Sequence, residues 1–246
     1  MILDHFPKVL WINLNKCEKR NTRMQKLLDS YNIIHTRIRA IDGTNLKNQE
    51  LDSICVKNNI LSNTENACTC SHIKAIEYFV KNISDDKIII FEDDISFDFL
   101  PNIPFDWSVF ENNLPKNYDI IQLAITNEFN NVSNTLVKTN PNMKYFCSAA
   151  YLITKQAATK ILEKYYPNDK IDLALQKYAT ADSMISSTGN TYSIPIFTYQ
   201  TYESTIHPSH LYNHNRSKIQ QYILWKNTIT NNKTFDLDTY FSKYPK

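Results

Sequence analysis

The sequence predicts an α/β domain built on a mostly parallel central sheet, and three observations carry that prediction. Short apolar runs that suit buried strands recur along the chain, segments of helical periodicity separate them, and the two kinds alternate. At 246 residues, 42% hydrophobic and 12% aromatic, the chain can bury one substantial core.

Val9-Leu10-Trp11-Ile12-Asn13-Leu14 opens the fold as an apolar run ending in polar residues, the pattern of a buried parallel strand. Met24, Leu27, Leu28 and Tyr31 then fall at the i, i+3, i+4, i+7 spacing of a helix, with Lys19, Arg20, Arg23 and Lys26 on what reads as a solvated face. Thr36 to Ile41 alternates as a second strand would, and Asp42-Gly43 ends it in a turn. Ser71 reads as the N-cap of a helix burying Ile73, Ile76, Phe79 and Val80. Lys87-Ile88-Ile89-Ile90-Phe91 carries the strongest strand signal, Tyr118 to Ala124 the next. Tyr151-Leu152-Ile153 leads to Thr154, which caps a helix burying Ala158, Ile161, Leu162 and Tyr165. From Ser217 onward a helix-like Ile219 to Trp225 precedes a polar stretch, so residues 217–246 read as a C-terminal helical appendage to a domain of residues 1–216.

Composition removes several function classes. The 27 basic residues nearly cancel the 25 acidic ones, and a net charge of +2 gives no electrostatic reason to expect nucleic acid as a partner. Only Gly43 and Gly189 occur, too few for a phosphate loop or a dinucleotide fingerprint. A bound nucleotide therefore needs something other than a glycine loop to neutralise its phosphates. The five cysteines, Cys17, Cys55, Cys68, Cys70 and Cys147, read as buried free thiols, because Cys68-Thr69-Cys70 is spaced too tightly for a zinc or thioredoxin pair. No apolar stretch is long enough to span a bilayer and the N-terminus lacks the features of a signal peptide. The expectation is a soluble, cytoplasmic protein, with a secretory lumen left open by sequons such as Asn82-Ile83-Ser84.

Glu92-Asp93-Asp94 directly follows the strongest strand. Three adjacent carboxylates repel one another unless a cation sits among them. Hard oxygen ligands suit Mg²⁺ or Mn²⁺, and substrate phosphates complete the shell of such ions. A solvated acidic turn is the alternative.

Further blocks accompany this motif in order. They are Trp11-Ile12-Asn13-Leu14 with Lys19-Arg20, Arg37-Ile38-Arg39-Ala40-Ile41-Asp42-Gly43, Glu65-Asn66-Ala67-Cys68 with Ser71-His72, then Ile88 to Asp94, Tyr118 to Leu123, and Ala149 to Ile153. Pro195 and Ser204-Thr205-Ile206 complete the set. Together, over roughly residues 8 to 208, these blocks resemble glycosyltransferase family 25, which includes lipopolysaccharide-biosynthesis transferases and the collagen galactosyltransferase group. The chain departs from the pattern at Ala67, where the family usually has glycine, and between Lys164 and Asp182, where the match is loose. The resemblance implies a GT-A fold, an Mn²⁺ ion (or Mg²⁺) holding the diphosphate of a UDP-hexose, and inverting transfer of galactose or glucose to a hydroxyl. The acceptor stays open among collagen-like hydroxylysine, a glycan and a lipid-linked sugar. A UTP-dependent nucleotidyltransferase and a catalytically silent scaffold of the same fold are the rival readings.

On the DxD-like pattern, Asp94 is the first choice of metal ligand, Glu92 a ribose or metal contact, and Asp93 is expected to point elsewhere. Asn13, Leu14 and Asp42 stand where open α/β sheets bind ligands, so they are expected near the uridine, with a plain turn the alternative for Asp42. Arg20 and Arg23 are within reach of a phosphate or simply surface charge. Ser71 and His72, as a helix start, favour an anion. The base that takes the acceptor's proton is expected to be Asp182, with Asp172 as fallback. His207, in a loop with His210, is expected to complete the Mn²⁺ shell. Acceptor recognition is assigned to loops such as Phe99 to Lys116 and Asn127 to Lys144.

Overall fold

The computed structural model describes residues 3–44, 49–127, 134–139, 145–174, 176–200, 211–231 and 241. In chain order its elements are β1 (Val9–Asn13), α1 (Glu18–Ser30), β2 (His35–Arg39), α2 (Gln49–Ile54), β3 (Cys55–Val56), α3 (Asn63–Asn82), β4 (Lys87–Glu92), β5 (Ile95–Ser96), α4 (Trp107–Asn112), β6 (Ile120–Gln122), β7 (Thr126–Asn127), β8 (Val137–Lys138) and β9 (Tyr145–Phe146). There follow β10 (Ala150–Thr154), α5 (Lys155–Tyr165), β11 (Ile171–Asp172), α6 (Ala181–Ser186), β12 (Thr191–Ser193), β13 (Thr198–Tyr199) and α7 (Leu211–Asn231).

Seven strands form the central sheet in the order β2-β1-β4-β10-β6-β12-β8. Strands β10 and β8 run against the other five, so the sheet is mostly parallel, as the alternation of strand and helix signals predicts. Side chains along a strand alternate between faces, and here each face has its own core. Trp11, Ile89 and Phe91 pack with Met24 and Leu28 of α1, Phe110 of α4 and Trp225 of α7. Leu10, Ile12, Ile88 and Ile90 pack with Ile73 and Ile76 of α3 and Ile161 of α5. The result is three layers with β4 an inner strand of the sheet between β1 and β10, its Ile88 to Phe91 wholly buried.

Two expectations are corrected. The helix assigned to start at Ser71 starts at Asn63, because Ser62 and Glu65 form a reciprocal capping box. Ser71 lies mid-helix, where its hydroxyl donates back to the Ala67 carbonyl (2.7 Å) and accepts from the Ile41 N–H (2.9 Å). The segment Phe99 to Lys116, expected to be an acceptor loop, buries Phe99, Leu100, Ile103, Phe105, Trp107, Phe110 and Leu114 and is core. Its aromatics demand burial that a recognition loop does not supply. Helix α7 docks on the shared core: Trp225 donates to the Pro195 carbonyl (2.7 Å) and Gln221 to the Ile125 carbonyl (2.6 Å). Among the described residues no helix is long and apolar enough to cross a membrane.

Candidate active site

Strands β1, β2 and β4 are parallel neighbours, so their carboxyl ends converge on one rim, where open α/β sheets place ligands. A cleft opens there. Asn13, Leu14, Arg20, Asp42, Ser71, His72 and Glu92, singled out from the sequence for donor binding, all line it, and so does Asp93. Gly43, Thr44, Thr64 and Cys68 line it as well. Gly43 is required by close approach: a Cβ there would lie 2.5 Å from the Asn63 carbonyl oxygen, so glycine lets the turn after β2 close against the start of α3.

Asp93 is the anchor of the cleft rather than the carboxylate pointing elsewhere. One oxygen meets the Arg20 guanidinium at 2.9 Å and the other accepts from the Asn13 amide at 2.6 Å. The Asn13 side-chain Oδ1 accepts in turn from Arg37 Nε at 2.9 Å. Arg23 donates to the backbone carbonyls of Asp93 (3.0 Å) and Ile95 (2.8 Å). Two of the four basic residues assigned to a solvated face of α1 therefore clamp the acidic motif. Burial raises the Asp93 carboxyl above its usual range, against the pull of Arg20 and Asn13.

Glu92 faces α3. Its Oε1 lies 3.3 Å from His72 Nε2 and accepts from the Ser148 hydroxyl at 2.6 Å. Burial alone would raise Glu92, but the His72 imidazole and the Ser148 hydroxyl hold it below the ordinary carboxylate value. His72 Nδ1 lies 3.1 Å from the Tyr151 hydroxyl, which fixes the ring with Nε2 toward the cleft. Cys68 stands one helical turn before His72, and burial and Glu92 push its thiol well above the usual range. Ser148 arrives because β10 runs antiparallel to β4, which brings the Ala149 carbonyl onto the Glu92 N–H at 2.8 Å. Cys147 just before it holds φ 119°, a strained value for a residue with a side chain.

Asp94 is not itself among the residues lining the cleft, though it lies beside Glu92 and Asp93, which are. Its Oδ1 is buried without a hydrogen-bond partner among the described residues, and its backbone carbonyl accepts from Gln200 N–H at 2.7 Å. Burial, then the charges of Glu92 and Asp93, push its carboxyl up to about 8. An orphaned buried oxygen beside two further carboxylates is a fit for a divalent cation, and the all-oxygen donor set suits a hard one.

Asp42 serves the turn: Oδ1 accepts from Thr44 N–H (3.0 Å) and Oδ2 pairs with Lys16 (2.6 Å). Although burial opposes it, Lys16 and Thr44 hold its carboxyl below the usual value. Because α3 starts at Asn63, Ser71 and His72 offer no free helix N–H groups to an anion, and they meet the cleft with side chains only. Asp182 sits in the first turn of α6, half-buried, and its charge is felt at the Cys68 thiol. Asp172 lies on β11, accepts from Ala174 N–H (3.0 Å) and is not among the residues lining the cleft. His207, His210 and Glu203 lie outside the described residues. Ser148 falls in none of the sequence blocks, and the blocks that contain Arg37 and Cys68 give neither of them a role. Only the Cys68-x-x-x-His72 spacing, one turn of a helix, carries a signal for Cys68.

Solved structures that resemble the chain in part include a protein of STIV at 10% identity and a TM-score of 0.43, with 78% of this chain and 84% of that one covered. HddC from Yersinia pseudotuberculosis, complexed with GMP-PN, follows at 15% identity and 0.42, covering 86% and 98%. An active-site mutant of LgtC stands at 10% identity and 0.40, covering 76% and 72%. No curated protein sequence matches. Residues 6–175 match the sequence profile of glycosyltransferase family 25 (LPS biosynthesis protein), and the chain belongs to that family.

Proposed function

We propose that this glycosyltransferase moves a hexose, galactose or glucose, from a UDP-sugar to a hydroxyl acceptor, with inversion and with a hard divalent cation, Mn²⁺ or Mg²⁺, at the acidic motif. The observation that carries this reading is the convergence of Asn13, Arg20, Asp42, His72, Glu92 and Asp93 on one cleft at the sheet's carboxyl rim. With two glycines in the chain, the cleft has no phosphate loop. Its means of holding a diphosphate are the Arg20 cation and a metal bound by Asp94 with Glu92 or Asp93. The ion, when bound, would neutralise charge on the departing diphosphate.

The chain's own residues do the rest. Asn13 and Arg20 keep the Asp93 carboxylate in one orientation, so little reorganisation remains when the donor arrives. Leu14 and Asp42 flank the uridine. Asp182 takes the acceptor's proton as its hydroxyl oxygen bonds to the anomeric carbon, and the bond from that carbon to the diphosphate oxygen breaks with its electron pair leaving on UDP.

UDP release from UDP-galactose and UDP-glucose, each with and without Mn²⁺, tests the reading. Turnover that needs the ion supports it. Pyrophosphate release from UTP would make the chain a nucleotidyltransferase, and nucleotide binding without turnover of any nucleotide sugar would make it a scaffold.

A further inference from the structure

Cys68 and His72 share a face of α3 one turn apart, and Glu92 meets them from the end of β4; the three ligand atoms lie within 4.8 Å of one another. His72 Nε2 and Glu92 Oε1 are 3.3 Å apart. Two ligands about 2.0–2.2 Å from one tetrahedral ion are separated by roughly 3.3–3.6 Å, so this pair already stands at the right distance. The outer contacts of a metal site are present too. The Tyr151 hydroxyl holds His72 Nδ1, and the Ser148 hydroxyl donates to Glu92 Oε1. Such contacts fix ligand orientation and are worth about 10–100-fold in affinity. All three ligands line the cleft.

We propose that Cys68, His72 and Glu92 bind a borderline-soft divalent cation of the zinc class, with its fourth coordination position open to the donor cleft. The donor set decides the class. A thiolate and an imidazole suit Zn²⁺ or Co²⁺ and serve Mn²⁺ or Mg²⁺ poorly. The site therefore differs in chemistry from the all-oxygen position at Asp94. Binding forms a metal–sulfur bond and releases the Cys68 proton to solvent, with no change in oxidation state. His72 and Glu92 are shared with the proposed donor site. The inference does not depend on sugar transfer, because the ligands are assembled without a nucleotide.

Cobalt titration of the EDTA-treated full chain, without nucleotide, tests it. The expected result is one equivalent of Co²⁺ with thiolate-to-cobalt charge-transfer absorption, displaced by one equivalent of Zn²⁺ and not by equimolar Mn²⁺. Cys68→Ser should abolish the band and weaken Zn²⁺ binding, read by calorimetry, at least about tenfold. His72→Gln should weaken both metals at least about tenfold while keeping the band at saturation, and it decides the matter if Cys68→Ser fails to fold. Asp94→Asn should leave the band in place, which separates this site from the hard-cation position. Absence of the band in the parent protein, its survival in Cys68→Ser, displacement by equimolar Mn²⁺, or unchanged affinity in His72→Gln would overturn the proposal.

Discussion

Asp94 keeps a buried carboxylate oxygen with no partner among the described residues, beside two carboxylates of the same sign. Replacing it with Asn removes the ionisable carboxyl, already pushed up to about 8, and nearly preserves shape. We predict that apo Asp94→Asn melts at or above the parent temperature at neutral pH, and that it loses Mn²⁺-dependent UDP binding and turnover. A structural cap would behave oppositely, costing about 0.5–2 kcal/mol, or about 2–4 °C per kcal/mol at this size. Apo and holo melting curves separate the two, and a destabilised apo variant with intact turnover would remove Asp94 from the mechanism. For Asp182 the expected signature is kinetic. Asp182→Asn should keep UDP-sugar affinity and lose at least about tenfold in turnover, since a base acts mainly in the transition state. Unchanged turnover would pass the role to Asp172 or Glu203. The acidic motif was legible at this scale because three consecutive carboxylates after an apolar strand are conspicuous. The place of Cys68 was not, because cysteine spacing points to other cysteines and its neighbours here are His72 and Glu92.

Helix α3 shows how capping chemistry can be misplaced. Both Ser62 and Ser71 are acceptable caps by residue type, but only Ser62 has a Glu three residues on, and the reciprocal bonds settle the start. Ser62→Ala is predicted to cost about 1 kcal/mol, a fall of about 2–4 °C in melting temperature, whereas no loss would mean that the start of α3 is held by packing alone. Helix α7 carries a larger cost. Trp225 is wholly buried against Phe105 and donates to Pro195, so Trp225→Ala should destabilise the whole fold by about 3–5 kcal/mol. A loss confined to α7, with the rest of the chain melting as before, would restore the reading of an independent appendage. The strands were readable from their apolar runs. The docking of α7 was not, because a lone buried Trp among polar residues leaves a weak periodicity.

Taken as a whole, the molecule sets Arg20, Asp42, Glu92 and Asp93 together at one rim and its apolar mass on the two faces of the sheet. UDP should raise the melting temperature only in the presence of Mn²⁺ or a similar ion, since the cleft offers a diphosphate little without it. Equal stabilisation in excess EDTA would defeat the metal-dependent reading. The α/β class followed from alternation alone, but the reversal of β10 had no sequence signal, because an apolar run reads the same in either direction. That reversal has a consequence during synthesis. The inner strand β4 waits for its second partner while the ribosome adds roughly 60 residues, from Glu92 to Ala150. At about 5–20 residues per second this lasts roughly 3–12 s. Throughout that interval the nascent chain presents a strand apolar from Ile88 to Phe91 with one open edge, the kind that recruits neighbouring chains, so the yield of soluble protein is sensitive to elongation speed between Asp93 and Thr154.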